Sequence, residues 1–278
     1  MRARIAAGTV AGAFLLASVA VAAPAGAAPG DAKLSVLHGV PGVTVDVWVN
    51  GALTLDDFTP GTLAGPLDLA PATYSVAITA SNATSATDQV VIGPVDLPLA
   101  ANGNYTAVAH LGATGTPTAA FFTNDISQTG AGKGRLTVRH VAAAPAVDVV
   151  AGGAAVVSNL TNPNEQKLEL APATVSATVT ATGTLTPALL GPADVPIQEG
   201  VNTIVYAYGS AADDTLALAV QTITGLHTPP AGIPAGQTGE AALAESNQGL
   251  ALGVGALGLL FAAAAALVIT RRVSASRR

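Results

Sequence analysis

The chain has 278 residues, of which 50% are hydrophobic and 10% charged, with 11 Lys and Arg against 17 Asp and Glu and no Cys. This length predicts about two domains, and the lack of thiols excludes disulfide scaffolds, zinc ribbons and cysteine nucleophiles. Most basic residues lie at the two ends and every acidic one lies between them, so the middle is acidic. Such a body repels phosphate backbones, and we predict no nucleic-acid binding.

Residues 1–27 are typical of a secretory signal peptide. Arg2 and Arg4 precede an uncharged run over residues 5–21, and small residues follow up to Ala27. We expect cleavage after Ala27. The alternative is an uncleaved membrane anchor, but the apolar run is short for a span and Pro24 follows it.

The middle of the chain repeats one unit. The segment LSVLHGVPGVTVDVWVNG starts at Leu34, and LTVRHVAAAPAVDVVAGG starts at Leu136, 102 residues later. The motifs LAPAT and GP-x-D-x-P also recur, with offsets that shrink to 97 by the last matching stretch. Loops tolerate deletions better than strands do, so we predict a tandem duplication with repeats at residues 33–122 and 135–223.

Each repeat predicts β-structure. Val43, Val45, Val47 and Val49 alternate with polar residues or Trp, and Asn50-Gly51 follows as a hairpin signal. The sequence therefore predicts an all-β chain with two tandem antiparallel β-sandwich domains of immunoglobulin-like type. The expected strands are residues 34–38, 43–49, 74–79, 89–92, 105–110 and 118–122 in the first repeat, and 136–140, 147–150, 154–157, 167–170, 174–180, 203–208 and 216–223 in the second.

The C-terminal part predicts a membrane anchor. Residues 224–248 are rich in Pro, Gly, Ala and Thr, which is typical of a flexible linker. Residues 249–270 form an uncharged run that, as a helix, would span about 33 Å, enough to cross a bilayer. The arginines in the tail, residues 271–278, favour the cytoplasmic side. We predict a single-pass cell-membrane protein with extracellular modules that stand separately on the linker.

The repeats resemble a known family. The pattern of strand, His, Pro-containing turn and Val-Asp-Val strand, followed by LAPAT and GP-x-D-x-P, resembles the bacterial domain-of-unknown-function family DUF4397. The resemblance covers both repeats and implies a β-rich fold in an exported or surface protein. The turns Gly39-Val40-Pro41-Gly42 and Ala142-Ala143-Ala144-Pro145 depart from the Ser-Pro-Asp turn common in that family. The resemblance implies no catalytic residues.

Four polar residues recur at equivalent places in the two repeats. His38 and His140 end the first strand of each repeat, and Asp46 and Asp148 follow eight residues later. One interpretation is a polar clamp or half of a metal site, although zinc usually needs three or four ligands. The other is a histidine that fixes the hairpin through backbone or Asp hydrogen bonds, and this interpretation is favoured. His110 has no counterpart in the second repeat, because Ala207 occupies the matching place.

Trp48 is the remaining binding candidate. It lies on the strand face opposite Val45, Val47 and Val49, so it is expected to be partly exposed and to serve as an anchor for a partner. The other interpretation, packing against a neighbouring loop or the other module, is favoured.

Known catalytic signatures are missing from the sequence. It contains no G-x-S-x-G, H-E-x-x-H or P-loop motif. Asp56-Asp57 and Asp213-Asp214 could supply calcium ligands, but neither pair sits in a D-x-D-x-D-G loop, so we interpret them as solvated turn acids and predict no metal or cofactor.

The sequence as a whole predicts a non-catalytic envelope surface protein with extracellular binding or spacer modules. Its expected partners are the membrane, through residues 249–270, and a cell-wall polymer or an envelope protein. The alternative is an envelope hydrolase with dispersed carboxylates, which predicts that one repeat keeps an acidic pair that the other has lost.

Overall fold

The computed structural model describes residues 30–227, and the regular elements in this range are all β-strands. The first sandwich contains β1 (Ala32–His38), β2 (Val45–Val49), β3 (Ala52–Phe58), β4 (Leu63–Leu69), β5 (Ala72–Ala80), β6 (Val90–Leu99), β7 (Asn104–Leu111) and β8 (Pro117–Thr123). The second contains β9 (Gly134–Ala143), β10 (Val147–Ala151), β11 (Ala154–Leu160), β12 (Glu165–Leu170), β13 (Ala173–Ala181), β14 (Ala188–Ile197), β15 (Asn202–Ser210) and β16 (Ala217–Ile223).

Both sandwiches have the same strand order. In the first, the sheet β4-β1-β7-β8 packs on the sheet β3-β2-β5-β6; in the second, β12-β9-β15-β16 packs on β11-β10-β13-β14. The predicted all-β fold with two sandwich units is confirmed. Its finer description needs correction, because β1 pairs in parallel with β7, and β9 with β15. An immunoglobulin domain keeps its first two strands in one sheet, whereas here β1 and β2 lie in different sheets.

Three strands, β3, β4 and β14, were missing from the sequence-based expectation. The last two contain Gly-Pro pairs, at Gly65-Pro66 and Gly191-Pro192, which normally indicate a break. Both are edge strands, where a proline does not remove a needed ladder hydrogen bond. Gly65 has a φ of +100°, and a Cβ there would lie 2.7 Å from the Leu34 carbonyl oxygen, so this close approach of β4 to β1 requires glycine.

The two sandwiches pack against each other to form one body of four layers. The outer faces of the sheets β4-β1-β7-β8 and β12-β9-β15-β16 meet in a buried apolar cluster. Its members come from both sandwiches: Leu37, Val108, Phe122, Val141, Ile204 and Tyr206. The expectation of separately standing modules is therefore wrong. The cause is that β1, β7, β9 and β15 are buried on both faces, as their burial along the strand shows.

The segment between the sandwiches is also fixed in place. The Thr129 N–H donates to the Leu226 carbonyl at 2.7 Å, and Thr129 forms a parallel bridge with His227. The segment just before the second sandwich is thereby hydrogen-bonded to the segment just after it.

The predicted signal peptide, most of the linker, the membrane span and the basic tail lie outside the described residues. Within residues 30–227, no helix has the length and apolar character needed to cross a membrane.

Candidate functional site

The two recurrent histidines are buried and form hydrogen bonds to the backbone of the turn that follows each of them. The His38 Nε2–H donates to the Val43 carbonyl at 2.8 Å, and the His140 Nε2–H donates to the Pro145 carbonyl at 3.0 Å. Each Nδ1 accepts a backbone N–H two residues further on, at 3.4 Å. Both side chains are buried, and burial lowers the pKa of each below 6.5, although the carbonyl bonds oppose the shift. The favoured interpretation, a histidine that fixes the turn, matches these contacts.

The two recurrent aspartates hold a bulge in the neighbouring strand. The Asp46 Oδ1 accepts the Asp57 N–H at 3.0 Å, and the Asp148 Oδ1 accepts the Asn159 N–H at 2.7 Å. Asp57 and Asn159 have φ values of 49° and 55°, and the pairing register shifts at this point in both hairpins. Neither aspartate is hydrogen-bonded to a histidine, so the two recurrent histidines fix their turns through backbone groups and not through Asp.

Backbone hydrogen bonds also change the pKa of Asp148. Its carboxylate accepts the Asn159 N–H and, at 2.9 Å, the Gly183 N–H. These two bonds lower the pKa of Asp148 below its ordinary value, because they favour the charged carboxylate.

A group of three acids forms in the first sandwich. The carboxylates of Asp46, Asp56 and Asp57 have oxygens within 4.8 Å of one another, with Asp46 buried and the other two exposed. Asp56 and Asp57 lie in β3, so their prediction as turn acids is wrong. The equivalent positions in the second sandwich are Asp148, Ser158 and Asn159. Oxygens this close could bind a hard cation such as Ca²⁺.

Trp48 is a buried residue. Its side chain is 9% exposed, and its Nε1–H donates to the Thr79 hydroxyl at 2.9 Å. The exposed-anchor interpretation is therefore wrong and the favoured burial is found, although the indole packs on β5, where Thr79 lies, and not on a loop or the other module. It lines a surface hollow with Gly51, Ser75 and Val90.

His110 is a third buried histidine, at the interface between the sandwiches. The strand registers show that His110 in the first sandwich is equivalent to Tyr208 in the second, not to Ala207 as the sequence alignment predicts. Its Nδ1–H donates to the Leu111 carbonyl at 2.9 Å, while Nε2 is buried without a hydrogen bond of good geometry. Burial lowers the pKa of His110, and a charge on His140 would lower it further.

A buried arginine sits where the sandwiches meet. Arg139 is 1% exposed, and its guanidinium carbon lies 4.1 Å from the centre of the Phe122 ring of the first sandwich. It donates to the Glu165 carboxylate at 2.8 Å, the Tyr206 hydroxyl at 2.7 Å and the Asn124 Oδ1 at 2.9 Å. Each nitrogen of the guanidinium thus has an acceptor, as a buried charge requires.

A chain of polar contacts continues from this arginine into the first sandwich. The Tyr206 hydroxyl donates to the Gln221 Oε1 at 2.6 Å, and the Thr106 hydroxyl donates to the same oxygen at 3.0 Å. The Gln221 Nε2 donates to the Ser35 hydroxyl at 3.2 Å. This network fixes the relative position of the two sandwiches more specifically than the apolar cluster alone.

A large apolar cavity lies between the two sheets of the first sandwich. Its volume is about 280 Å³, and it is lined by aliphatic side chains of both sheets, including Val36, Val47, Ile78 and Leu97. It reaches the partly exposed residues of the edge strands β3 and β4. No charged residue lines it.

The second sandwich has only a small cavity at the equivalent place, of about 30 Å³. The strand registers show why. Ala107 and Ala119 line the first cavity, and the residues at their positions in the second sandwich are Val205 and Leu218. The larger side chains line the smaller cavity.

The sequence contained signals for the features that its interpretation missed. The run Ile204 to Tyr208 is nearly continuous in large apolar residues, which is typical of a strand buried on both faces. Arg139 occupies the position of Leu37 one repeat earlier, an asymmetry that indicates different surroundings. The cavity had a signal too, in the alanines at positions 107 and 119, but only the pairing register shows that both face the same space.

A family model matches the first part of the described residues. The model of the family described as domain of unknown function (DUF4397) matches residues 32–150, which cover the first sandwich and continue through β10 of the second. No curated protein matches the chain. The match confirms the resemblance, while the relation of the second sandwich to the first rests on their shared motifs and strand order. Over residues 32–150, the chain is similar to the DUF4397 family.

Proposed function

We propose that the chain is a non-catalytic surface protein of the cell envelope, in which residues 30–227 act as a rigid binding or spacer module. The observation that carries this proposal is the use of the recurrent polar residues in the fold: His38 and His140 fasten turns, and Asp46 and Asp148 hold bulges. These residue types are the usual carriers of acid–base chemistry, and here their hydrogen-bonding capacity serves the backbone.

The packing of the two sandwiches supports the role of a spacer. Flexible beads would change their separation, whereas a buried network through Arg139 and Gln221 keeps a fixed geometry. A fixed geometry is what a module needs in order to hold a partner at a set distance from a surface.

The location of the module is proposed from the ends of the sequence. Residues 1–27 are typical of a signal peptide and residues 249–270 of a membrane span, with arginines after it. External protease on whole cells tests this, with one epitope in the body and another after Arg278. Loss of the body epitope with retention of the tail epitope supports the proposal, and protection of both epitopes contradicts it.

The partner is tested by co-sedimentation of the purified chain with cell-wall sacculi, with and without Ca²⁺ and at two salt concentrations. The described body is acidic, so an anionic wall polymer would require a bridging cation, whereas a cationic partner would be released by salt. Saturable sedimentation supports a wall-binding module, and its absence favours a spacer role.

A second candidate, an envelope hydrolase, is favoured by one observation. The first sandwich keeps the three acids Asp46, Asp56 and Asp57, and the second has Ser158 and Asn159 at two of these positions. This is the loss in one repeat that a hydrolase with dispersed carboxylates predicts. Hydrolysis of an envelope glycan or peptide that disappears in Asp56→Ser/Asp57→Asn, with an unchanged melting temperature, would establish the hydrolase instead; these are the residues of the second sandwich, and Asn tolerates the positive φ of Asp57.

A further inference from the structure

We propose that the cavity of the first sandwich is a binding site for one neutral aliphatic chain of about ten carbons. An enclosed apolar cavity of about 150 Å³ accommodates benzene, and the volume here, about 280 Å³, is nearly twice that. The inference goes beyond the proposed function, because the site would bind such a ligand wherever the protein is located.

The lining determines the chemical class of the ligand. Leu, Val, Ile and Ala supply most of it, while Asn50, Thr54 and Tyr74 are the residues with a polar side chain. The Tyr74 hydroxyl already donates to the Ala70 carbonyl at 2.9 Å. A charged ligand group inside the cavity would therefore lose its hydration without gaining a partner, which excludes ionic ligands from the interior.

The cavity lining reaches the side of the sandwich that has β3 and β4 as its edge strands. β3 is an edge of one sheet and β4 is an edge of the other. Leu55 on β3 and Leu67 and Leu69 on β4 line the cavity and are partly exposed. Asn50 and Thr54 are exposed and close to this side, so a hydroxyl or ester at the end of an aliphatic chain can remain in water.

The second sandwich provides a matched comparison within the same chain. It has the same strand order, yet Val205 and Leu218 fill the space that Ala107 and Ala119 leave open. Empty apolar space forfeits packing contacts along its walls. A fold that closes this space in one copy can close it in the other, and a bound ligand would supply the missing contacts in the first.

The test is thermal unfolding of the full-length chain with increasing 1-octanol, with Ala107→Val/Ala119→Leu as the matched variant. The two substitutions place the residues of the second sandwich in the first. Both proteins are measured in the same amphipathic polymer, so general effects of the alcohol cancel in the comparison. 1-Butanol at equal concentrations provides a control for the hydroxyl group alone.

The expected result is a saturable rise in Tm of about 4 °C or more for the wild type relative to the variant, with no such difference in 1-butanol. The unliganded variant should melt at the wild-type temperature or above it, which shows that it is folded; Ala107→Val alone, with a smaller loss of response, serves if the double variant does not fold. An absence of response in the wild type, or an equal response in both proteins, would overturn the proposal.

Discussion

The two sandwiches share a frame but differ in their interiors. Both use a buried histidine to fasten the turn after the first strand and an aspartate to hold a bulge. Between the sheets, the first has a cavity of about 280 Å³ and the second one of about 30 Å³. The difference teaches that the repeated motifs specify turns and strand register. The interior residues differ between the two sandwiches, and they determine how much empty space lies between the sheets.

The faces through which the sandwiches pack have also diverged. Leu37 and Phe122 on the first face occupy the positions of Arg139 and Gln221 on the second. The two faces are thus complementary rather than identical, since the arginine lies over the phenylalanine ring. Such pairing favours packing within the chain over pairing of like faces from two molecules.

The largest expected effect comes from removing the arginine at the packing face. Arg139→Ala removes one donor each from the Glu165 carboxylate, the Asn124 Oδ1 and the Tyr206 hydroxyl. We expect a loss of about 3 kcal/mol in the free energy of unfolding, measured by urea titration. The control is Lys33→Ala, which breaks an exposed 2.7 Å pair with Asp68 and should cost less than about 1 kcal/mol. Equal costs would contradict a buried role for Arg139.

The interiors can be compared by exchanging one position. Leu218→Ala opens space in the second sandwich and should cost about 2 kcal/mol, the lower end for such a truncation because Leu218 is only partly buried. Ala119→Leu adds atoms where the first sandwich has room and should change the free energy of unfolding by less than about 1 kcal/mol. If Ala119→Leu instead showed the cost of an overpacked core, about 1–3 kcal/mol, the space beside Ala119 would not be open.

Acid should weaken the fold through its buried histidines. Burial lowers the pKa of His38, His110 and His140, so the folded state binds protons less readily than the unfolded chain. Their contribution is complete above the unfolded value near 6.5 and is lost as the pH falls from there through the folded values. We expect the free energy of unfolding to decline between pH 7 and pH 5.

The variant His110→Asn measures how much of this pH-dependent loss of stability comes from the histidine at the face where the sandwiches pack. Its amide can keep the bond to the Leu111 carbonyl but does not titrate. The decline in the free energy of unfolding from pH 7 to 5.5 should be smaller than in the wild type by up to about 1 kcal/mol. Identical pH profiles would show that His110 does not contribute.

The smallest effect concerns Trp48, whose position in the second sandwich is taken by Val150. Trp48→Phe removes the hydrogen bond to the Thr79 hydroxyl and should lower the free energy of unfolding by about 1 kcal/mol. The change is followed by circular dichroism, because the variant lacks the indole. An unchanged free energy would mean that the bond contributes nothing net.

The sequence allowed the all-β class and the two sandwich units to be predicted, because alternating valines and repeated turn motifs are local signals. The burial of Trp48 could not be predicted, since it depends on packing on β5 beside Thr79. The packing of the sandwiches was missed because alternation was read strand by strand, whereas burial of both faces of β15 requires a second sheet. The edge strands β4 and β14 were missed because Gly-Pro pairs also occur in turns.

The most direct test of the four-layer body is whether both sandwiches unfold together. Trp48 is the single tryptophan of the chain and lies in the first sandwich, so its fluorescence reports on that half, while circular dichroism reports on both. In a urea titration, the account predicts that the two transitions coincide in the wild type and separate in Arg139→Ala. Separate transitions in the wild type would contradict the account and show that the sandwiches are independent.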